Sequence, residues 1–293
     1  MPEALITLTT DFGAGSPYVA ALKGVILGIN PWARLLDLSH AIPPQDLHQA
    51  AYFLRQVLPC YPPGPLHVVV VDPGVGSERA LLYIEVAGHR LLVPDNGCWT
   101  GLEQSARARV RRLTEPRFWR HPVSATFHGR DILAPVAAHL SLGLDPAELG
   151  PAVTEWVTLE TLAPRCDQRA GTLTGQVQFV DTFGNLITDL SSQALYVFTQ
   201  TPPADPTRGA ERSRRQPRPW PATLRVQVGA SEVTRYVRTY ADAEPGSLVF
   251  LFSSDQLLEI AEVQGSAARR LEVGVGAPVS VVRSAEHGAR NDA

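Results

Sequence analysis

The stretch LHVVVVDPGVGSER, residues 66–79, decides the fold of the first half of this 293-residue chain. Its first part, residues 66–71, is a continuous apolar run between Gly64-Pro65 and Asp72-Pro73. Short apolar runs without strict alternation are typical of strands that are covered on both faces, as the central strands of parallel sheets are. The pattern therefore predicts a central strand that ends at Asp72.

Strand-like and helix-like segments alternate on both sides of this run, up to about residue 165. Strands are predicted over Leu5–Thr9, Arg34–Leu38, Leu81–Val86 and Arg90–Val93, and helices over Tyr18–Ile29, Leu47–Val57 and Ile132–Leu142. Such a rhythm predicts an α/β N-terminal domain, residues 1–165, in which a mostly parallel central sheet is flanked by helices.

The pattern changes after Pro164, because helical periodicity almost disappears. Strands are predicted over Gly171–Asp181, Leu186–Leu190, Thr223–Val228, Leu248–Phe252 and Pro278–Val282, with a turn or two of helix near Ala267–Leu271. We therefore expect a smaller, mostly antiparallel β domain over residues 166–293.

A segment rich in proline and arginine, residues 200–221, interrupts the second domain. It contains six prolines and five arginines and almost no apolar residue. We interpret it as an exposed inserted loop. The alternative is a basic arm for an acidic partner, although aromatic residues do not alternate with the charges as stacking on nucleic acid would require.

The composition excludes several classes of chemistry. Only Lys23 is a lysine, against 25 arginines, and it does not follow a glycine-rich loop, which argues against a phosphate-binding loop and a pyridoxal Schiff base. The three cysteines form no C-x-x-C pair, and no cluster has metal-ligand spacing, so we expect neither a disulfide framework nor a metal site. A net charge of −3 and the absence of long apolar runs predict a cytoplasmic protein without membrane or nucleic-acid partners.

Polar residues at strand ends are the natural site candidates in an α/β sheet. Asp11 follows the first strand, where a carboxylate can accept hydrogen bonds from both hydroxyls of a sugar diol or can start a turn. Asp72 ends the central strand, and Arg79 is close enough in sequence to fold back onto it, either as part of a site or as a structural ion pair. The lone G-x-G at 74–76 lacks a third glycine and a following helix, so a dinucleotide fingerprint is rejected.

Two further segments carry polar residues near predicted turns. Asp95-Asn96-Gly97 is interpreted as a structural turn. His128, beside Gly129 at a predicted helix entry, is a candidate for proton transfer, with packing as the alternative. Asp131 is predicted to cap that helix.

Six motifs together resemble those of the S-adenosyl-L-methionine (SAM) hydroxide adenosyltransferases. This family, also called SAM hydrolases, is related to the SAM-dependent fluorinating and chlorinating enzymes. The motifs are TTDFG at 9–13, VDPGVGSER at 71–79, PDNG at 94–97, FHGRD at 127–131, D-x-FGNLIT at 181–188 and LEIA with GSAA at 258–268. Each motif is weak alone, but their shared order over nearly the whole chain is specific.

The resemblance implies attack of water or hydroxide on C5′ of SAM, which releases adenosine and L-methionine, with SAM as the substrate and no separate cofactor. It places a hydrolytic triad at Asp72, Arg79 and His128 and leaves open which of Asp72 and His128 takes the proton. The implied binding residues are Asp11 for the ribose diol, Asn185 for adenine, Asp181 for the methionine ammonium, and Tyr240, Ser254, Glu259 and the backbone near Val263 for the nucleoside or methionine pocket. Members of the family are typically homotrimers with sites between subunits.

Two alternatives follow from the same residues. A SAM-dependent halogenase is disfavoured because a carboxylate at Asp72 would repel a desolvated halide by on the order of several kcal/mol, and because Gly129 stands where halogenases have serine. A nucleoside-binding sensor without turnover is disfavoured because all three triad residues are present.

Overall fold

The computed structural model describes residues 4–102, 107–160, 164–167, 170–199 and 224–283. The chain divides into two units, Met1–Glu160 and Thr161–Ala293, so the expected two-domain organisation is confirmed. The proline- and arginine-rich segment 200–221 lies outside the described residues, and its interpretation as an exposed loop stays a prediction.

Seven strands form one sheet in the first unit. They are β1 (Leu5–Thr10), β2 (Arg34–Ser39), β3 (Leu66–Val70), β4 (Leu81–Val86), β5 (His89–Pro94), β6 (Arg109–Arg112) and β7 (Ala152–Val153). Their order is β2-β1-β3-β5-β4-β6-β7.

The sheet is mixed, and this refines the prediction of a mostly parallel sheet. The strands β2, β1, β3 and β5 pair in parallel, whereas β5 with β4, β4 with β6 and β6 with β7 pair antiparallel. Ala87 and Gly88 join β4 and β5 with positive φ angles of 51° and 83°. This is the two-residue turn geometry that favours an antiparallel hairpin.

Helices cover both faces of the sheet, as predicted from the apolar run. The helices are α1 (Pro17–Ile29), α2 (Leu47–Val57) and α3 (Ala134–Ser141). On β3, Val68 and Val70 join the core that contains α1 and α3, whereas Val69 joins the core that contains α2. The longest described helix, α1, has 13 residues. In the described parts of both units, no helix is long and apolar enough to span a membrane.

The second unit contains an eight-stranded sheet, and all of its strand pairings between described residues are antiparallel, as predicted. The elements are β8 (Arg165–Asp167), β9 (Thr172–Val180), β10 (Leu186–Ser191), α4 (Ser192–Thr199), β11 (Leu224–Val228), β12 (Ser231–Val233), β13 (Leu248–Phe252), β14 (Leu257–Glu262), α5 (Ala267–Leu271) and β15 (Pro278–Arg283). The order is β12-β11-β15-β9-β10-β14-β13, with β8 on β9.

The helix α4 was not predicted from the sequence. Only Leu195 and Phe198 of this helix are buried, and β-branched and aromatic residues are common in it. Such a short segment carries too few apolar repeats to show a helical period, so tertiary packing decides its structure.

Candidate active site

Asp72, Arg79 and His128 come together at the end of β3. The Arg79 side chain donates from Nε to Oδ1 of Asp72 over 2.6 Å and from Nη2 to Oδ2 of the same carboxylate. The same Nη2 atom lies 3.0 Å from Nδ1 of His128. Because the Arg79 and Asp72 side chains are only 9% and 7% exposed, this is a buried bidentate pair with the imidazole at one end.

A close approach of two loops brings the triad together. Gly76 has a φ of +81°, and a Cβ atom there would lie 2.4 Å from the carbonyl oxygen of Ala125. No other residue type fits this position, because the conformation is left-handed and the space is filled by backbone. The Asp72–Arg79 loop can therefore lie directly against the segment that leads to His128.

His128 stands at the start of a wide helical turn, Gly129–Leu133, that runs into α3. Pro135 has no N–H to donate back along this helix, and the carbonyl of Asp131 instead accepts from the Arg120 N–H over 2.8 Å. Wide turns of this kind are frequent at functional sites. Burial and the neighbouring Arg79 cation lower the pKa of His128 from its ordinary value, against the opposing charges of Asp72 and Asp131.

The prediction that Asp131 caps this helix is wrong. Asp131 is fully buried inside the wide turn, where its carboxylate accepts from Arg130 at 2.7 Å, from Arg120 at 3.0 Å and from the Ser124 N–H at 2.9 Å. Burial opposes its ionisation, but these hydrogen bonds hold the pKa of Asp131 below its ordinary value. Asp131 thus fixes the segment before His128 instead of satisfying a helix end.

Asp11 follows β1, and its Oδ2 atom accepts from the Gln45 N–H over 2.8 Å. An aromatic cluster of Phe12, Tyr18 and Phe127, not recognised from the sequence, connects this turn to the His128 segment. The three rings meet edge to face with centroids 5.2–5.8 Å apart. Phe12 and Phe127 belong to two of the sequence motifs, so the cluster connects these motifs. The one sequence signal for it is the presence of aromatic residues in or near both motifs.

The interpretation of Asp95-Asn96-Gly97 as a structural turn is confirmed. Asp95 accepts from the Val157 N–H over 2.8 Å, and Gly97 has a φ of +89°. The Asn96 side-chain amide donates to the carbonyl of Val71 over 2.9 Å. Since Val71 directly precedes Asp72, this turn also steadies the backbone next to the triad.

In the second unit, polar residues of the expected binding set gather around Glu259. Tyr240 donates its hydroxyl to Glu259, which is only 4% exposed. Burial raises the pKa of Glu259, the charge of Asp181 adds to this, and the hydrogen bond from Tyr240 opposes it. Burial and the Glu259 carboxylate also raise the pKa of Tyr240. The cluster concentrates acceptor groups and negative charge.

Asp181 and Asn185 form one turn. The Asp181 carboxylate accepts from the backbone N–H groups of Phe183 and Asn185 and from the Asn185 side-chain amide, each over 2.9 Å. These bonds orient Asn185 and occupy much of the Asp181 carboxylate.

The remaining two predicted binding residues lie elsewhere in the second unit. Ser254 is exposed in the turn between β13 and β14. Val263 is buried, and its backbone N–H and carbonyl bond to Ser247 and Gly246. Between described residues, neither makes a hydrogen bond to the Glu259 cluster. In the same described ranges, no three His, Cys, Asp or Glu side chains are grouped as metal ligands.

Comparison with known proteins matches both units to one family. Residues 6–150 match the SAM hydroxide adenosyltransferase N-terminal domain, and residues 175–280 match the C-terminal domain of the same family. The chain is 37% identical over 283 residues to the (R)-S-adenosyl-L-methionine hydrolase of Thermus thermophilus, covering 93% of this chain and 97% of the relative. It is 36% identical over 277 residues to the protein of the same name from Salinispora arenicola, with 92% and 95% covered.

More distant similarities agree with this assignment. The crystal structure of an uncharacterized conserved protein from Thermotoga maritima matches with a TM-score of 0.82 and 29% identity, covering 95% of this chain and 100% of that chain. A fluorinase from Actinoplanes sp. is 21% identical over 212 residues, which cover 64% of this chain and 71% of the relative. The chain belongs to the SAM hydroxide adenosyltransferase family.

Proposed function

We propose that the protein hydrolyses S-adenosyl-L-methionine at C5′ of the ribose and releases adenosine and L-methionine. The observation that carries the proposal is the contact of His128 with the buried Asp72–Arg79 pair, in a chain of this family. The two relatives of 36% and 37% identity are named as hydrolases of the (R)-sulfonium epimer, which supports that epimer as the preferred substrate.

The substrate is already activated for this reaction. Its leaving group is a neutral thioether that departs from a positively charged sulfonium, so the enzyme has to place a water in line with the C5′–S bond and help it lose a proton. As the new C5′–O bond forms, the C5′–S bond breaks and its electron pair stays on sulfur. No metal or redox partner is needed for this balance.

The hydrogen bonds of the triad support one assignment of the proton transfer. The guanidinium of Arg79 has only donors, so its contact with Nδ1 of His128 makes that nitrogen the acceptor. The neutral imidazole then carries its proton on Nε2, where it can donate to the oxygen of the attacking water. Each oxygen of the Asp72 carboxylate keeps a free lone pair beside its bond to Arg79. We therefore assign Asp72 as the group that accepts the water proton, and Arg79 as the cation that favours the developing hydroxide.

Substrate binding is proposed from the family pattern and supported by charge. Asp11 stands at a strand end with one carboxylate oxygen free of the Gln45 bond, which suits a ribose diol. In the second unit, Asp181, Glu259 and Tyr240 form an acceptor-rich cluster that suits the cationic methionine part. Asn185, which Asp181 holds in place, is proposed to bind adenine. Ser254 and the backbone near Val263 complete the proposed set on the resemblance alone.

A halogenase is the competing enzyme. A halide needs hydrogen-bond donors around it, whereas Asp72 presents acceptors where the halide would lie. A serine at Gly129, the residue that halogenases use there, would place its Cβ atom 2.9 Å from Val70. Both observations favour water as the nucleophile.

One incubation, together with a measurement of adenosine binding, distinguishes a hydrolase, a halogenase and a nucleoside-binding sensor. Purified protein is mixed with each sulfonium epimer of SAM and excess chloride, and the nucleoside products are separated by chromatography. We expect adenosine and methionine in equal amounts, faster from the (R)-epimer. Formation of 5′-chloro-5′-deoxyadenosine would support the halogenase, and tight adenosine binding without turnover would support the sensor.

Variants test the triad itself. Asp72→Ala and His128→Ala should lose turnover while adenosine binding largely survives, because neither side chain is assigned to the nucleoside. His139→Ala, a half-buried histidine on α3 outside the proposed site, is the matched control and should keep turnover. Hydrolysis at the wild-type rate in both triad variants would contradict the assignment.

We also propose a homotrimer with active sites between subunits, which the family resemblance implies. Light scattering after size-exclusion chromatography should give three times the chain mass of 31.8 kDa. Mixed trimers of Asp72→Ala and Glu259→Ala chains should regain activity when sites combine one intact half from each chain. A monomeric active protein would contradict this arrangement.

A further inference from the structure

The turn after β1, which carries Asp11, is bound at three points to the segment that follows β2. The Thr10 hydroxyl lies 2.9 Å from Nδ1 of His40. The Gly13 N–H donates to the carbonyl of His40 over 2.8 Å, and the Gln45 N–H donates to the Asp11 carboxylate over 2.8 Å. His40 thus contributes two of the three contacts, one from its ring and one from its backbone.

The ring of His40 is itself held from the opposite side. Its Nε2 atom lies 3.1 Å from Oδ1 of Asp37. The other oxygen of Asp37 pairs with Nζ of Lys23 over 2.6 Å. Burial opposes ionisation of Asp37, but Lys23 and His40 hold its pKa below the ordinary value. Lys23, the only lysine of the chain, therefore anchors a row that runs through Asp37 to the ring.

The hydroxyl group of Thr10 needs a hydrogen-bond acceptor, and the ring of His40 provides one. Thr10 is fully buried, and its hydroxyl oxygen already accepts from the Phe12 N–H over 3.2 Å. When the ring is neutral and carries its hydrogen on Nε2, which faces Asp37, Nδ1 accepts the hydroxyl hydrogen of Thr10. Without the His40 ring this buried donor would have no partner, and the Asp11 turn would lose one of its three contacts.

We propose that His40 is a positioning residue of the nucleoside site, which fixes the carboxylate of Asp11 for the ribose diol through Thr10 and through its own carbonyl. The inference rests on the proposed role of Asp11 in binding the diol. It adds Thr10, His40, Asp37 and Lys23 as a supporting row behind that carboxylate.

Adenosine and 2′,3′-dideoxyadenosine test this role, because the second ligand lacks the diol. The dissociation constants of both are measured by titration calorimetry on the full-length protein. We expect His40→Ala to weaken adenosine about fivefold to tenfold, the effect of about one hydrogen bond, and to change dideoxyadenosine less than about twofold. His40→Asn keeps a polar atom at the Nδ1 position and should restore most of the adenosine affinity. His139→Ala should bind both ligands like the wild type.

Thr10→Val provides a second route if His40→Ala does not fold. This variant removes the hydroxyl, and with it both the contact to His40 and the acceptor for the Phe12 N–H, so it should weaken adenosine binding at least as much as His40→Ala does. The double variant should be no weaker than Thr10→Val alone, since the contact that His40→Ala removes is already lost in Thr10→Val. Equal weakening of both ligands, or additive effects of the two substitutions, would overturn the proposal.

The Asp11→Asn variant separates the proposal from the function on which it rests. If Asp11→Asn binds adenosine as tightly as the wild type, the diol role of Asp11 is wrong. If Asp11→Asn weakens adenosine and His40→Ala does not, the diol role stands and the positioning role of His40 fails.

Discussion

Arg79 donates to Nδ1 of His128 across 3.0 Å, and this contact determines which nitrogen of the imidazole carries the proton. A protonated His128 would direct an N–H at the guanidinium, so donor would face donor. The triad is therefore intact only while His128 is neutral. Burial and Arg79 together extend that neutral range to lower pH.

The pH dependence of turnover follows from this contact. Because the pKa of His128 is lowered, we expect the acid limb of kcat/KM, which reports the free enzyme, to have its midpoint below 6.5, the ordinary imidazole value. NMR titration of His128 should give the same midpoint. In Arg79→Gln the cation is gone and Asp72 remains, so the His128 midpoint should rise. An unchanged midpoint in this variant would show that Arg79 does not control the ring.

The close approach at Gly76 should be required for activity. Gly76→Ala combines a left-handed φ of +81° with a Cβ atom 2.4 Å from the Ala125 carbonyl oxygen, and we expect kcat to fall more than about tenfold as the loops separate. Gly143→Ala is the matched control, because Gly143 also has a positive φ, of +99°, but no atom within 4 Å of the added Cβ. It should lose about 1 kcal/mol of stability and keep turnover. Similar kcat values for the two variants would contradict this account.

Stability should fall in mild acid because of His67. This histidine is 1% exposed on β3, where it contacts Thr7 over 2.7 Å and His89 over 3.3 Å. Burial, His89 and Arg90 lower the pKa of His67 to about 4. The unfolded chain therefore binds a proton at a higher pH than the folded chain does. The contribution of His67 is complete above about pH 6.5 and is lost as the pH falls towards 4.

Urea unfolding at fixed protein concentration measures this effect. Between pH 7.5 and pH 5 the wild type should lose about 2 kcal/mol of unfolding free energy through His67. His67→Gln keeps polar atoms in place but does not titrate, so its loss over the same range should be smaller by about that amount. Equal pH dependence of the two proteins would place the effect elsewhere.

Asp189 should lower stability at neutral pH. Its Oδ1 atom accepts from the Gln176 N–H over 2.8 Å, but its buried Oδ2 atom has no hydrogen-bond partner among the described residues. Burial raises the pKa of Asp189, so ionisation at neutral pH disfavours the folded state. Asp189→Asn should raise the unfolding free energy by about 1 kcal/mol at pH 7.

The size of the Asp189 effect depends on pH. Below the ordinary carboxyl pKa of about 3.9, the wild-type side chain is protonated in both states, so the gain from Asp189→Asn should disappear there. Thermal unfolding at several pH values checks this. Destabilisation by Asp189→Asn at pH 7 would mean that Oδ2 is satisfied in the native protein.

Much of the fold could be predicted from the sequence, because burial of a strand or helix produces a local pattern of apolar residues. The run at residues 66–71 predicts a strand covered on both faces, and β3 has α1 and α3 on one side and α2 on the other. The helix Leu47–Val57 and the strand Leu81–Val86 have the predicted bounds. The antiparallel pairing of β4, β6 and β7 was harder to predict, since the relative direction of two strands depends on long-range pairing.

The proposed site was also predicted only in part from the sequence. The sequence marked Asp72, Arg79 and His128 as candidates, because polar residues after a buried strand and beside glycines stand out. It did not reveal the aromatic cluster of Phe12, Tyr18 and Phe127, and it misassigned Asp131, because helix capping is a local rule and Asp131 is bound by long-range partners.

The sequence by itself determined the segments, the two-domain order and the residues with chemical capacity, since these depend on neighbours along the chain. Only the tertiary structure decided the imidazole tautomer and the support of Asp11. The Arg79–His128 contact spans 49 positions and the Thr10–His40 contact spans 30. Contacts of that range form only when the sheet and its loops are packed, because nothing in the local sequence specifies the distance between them.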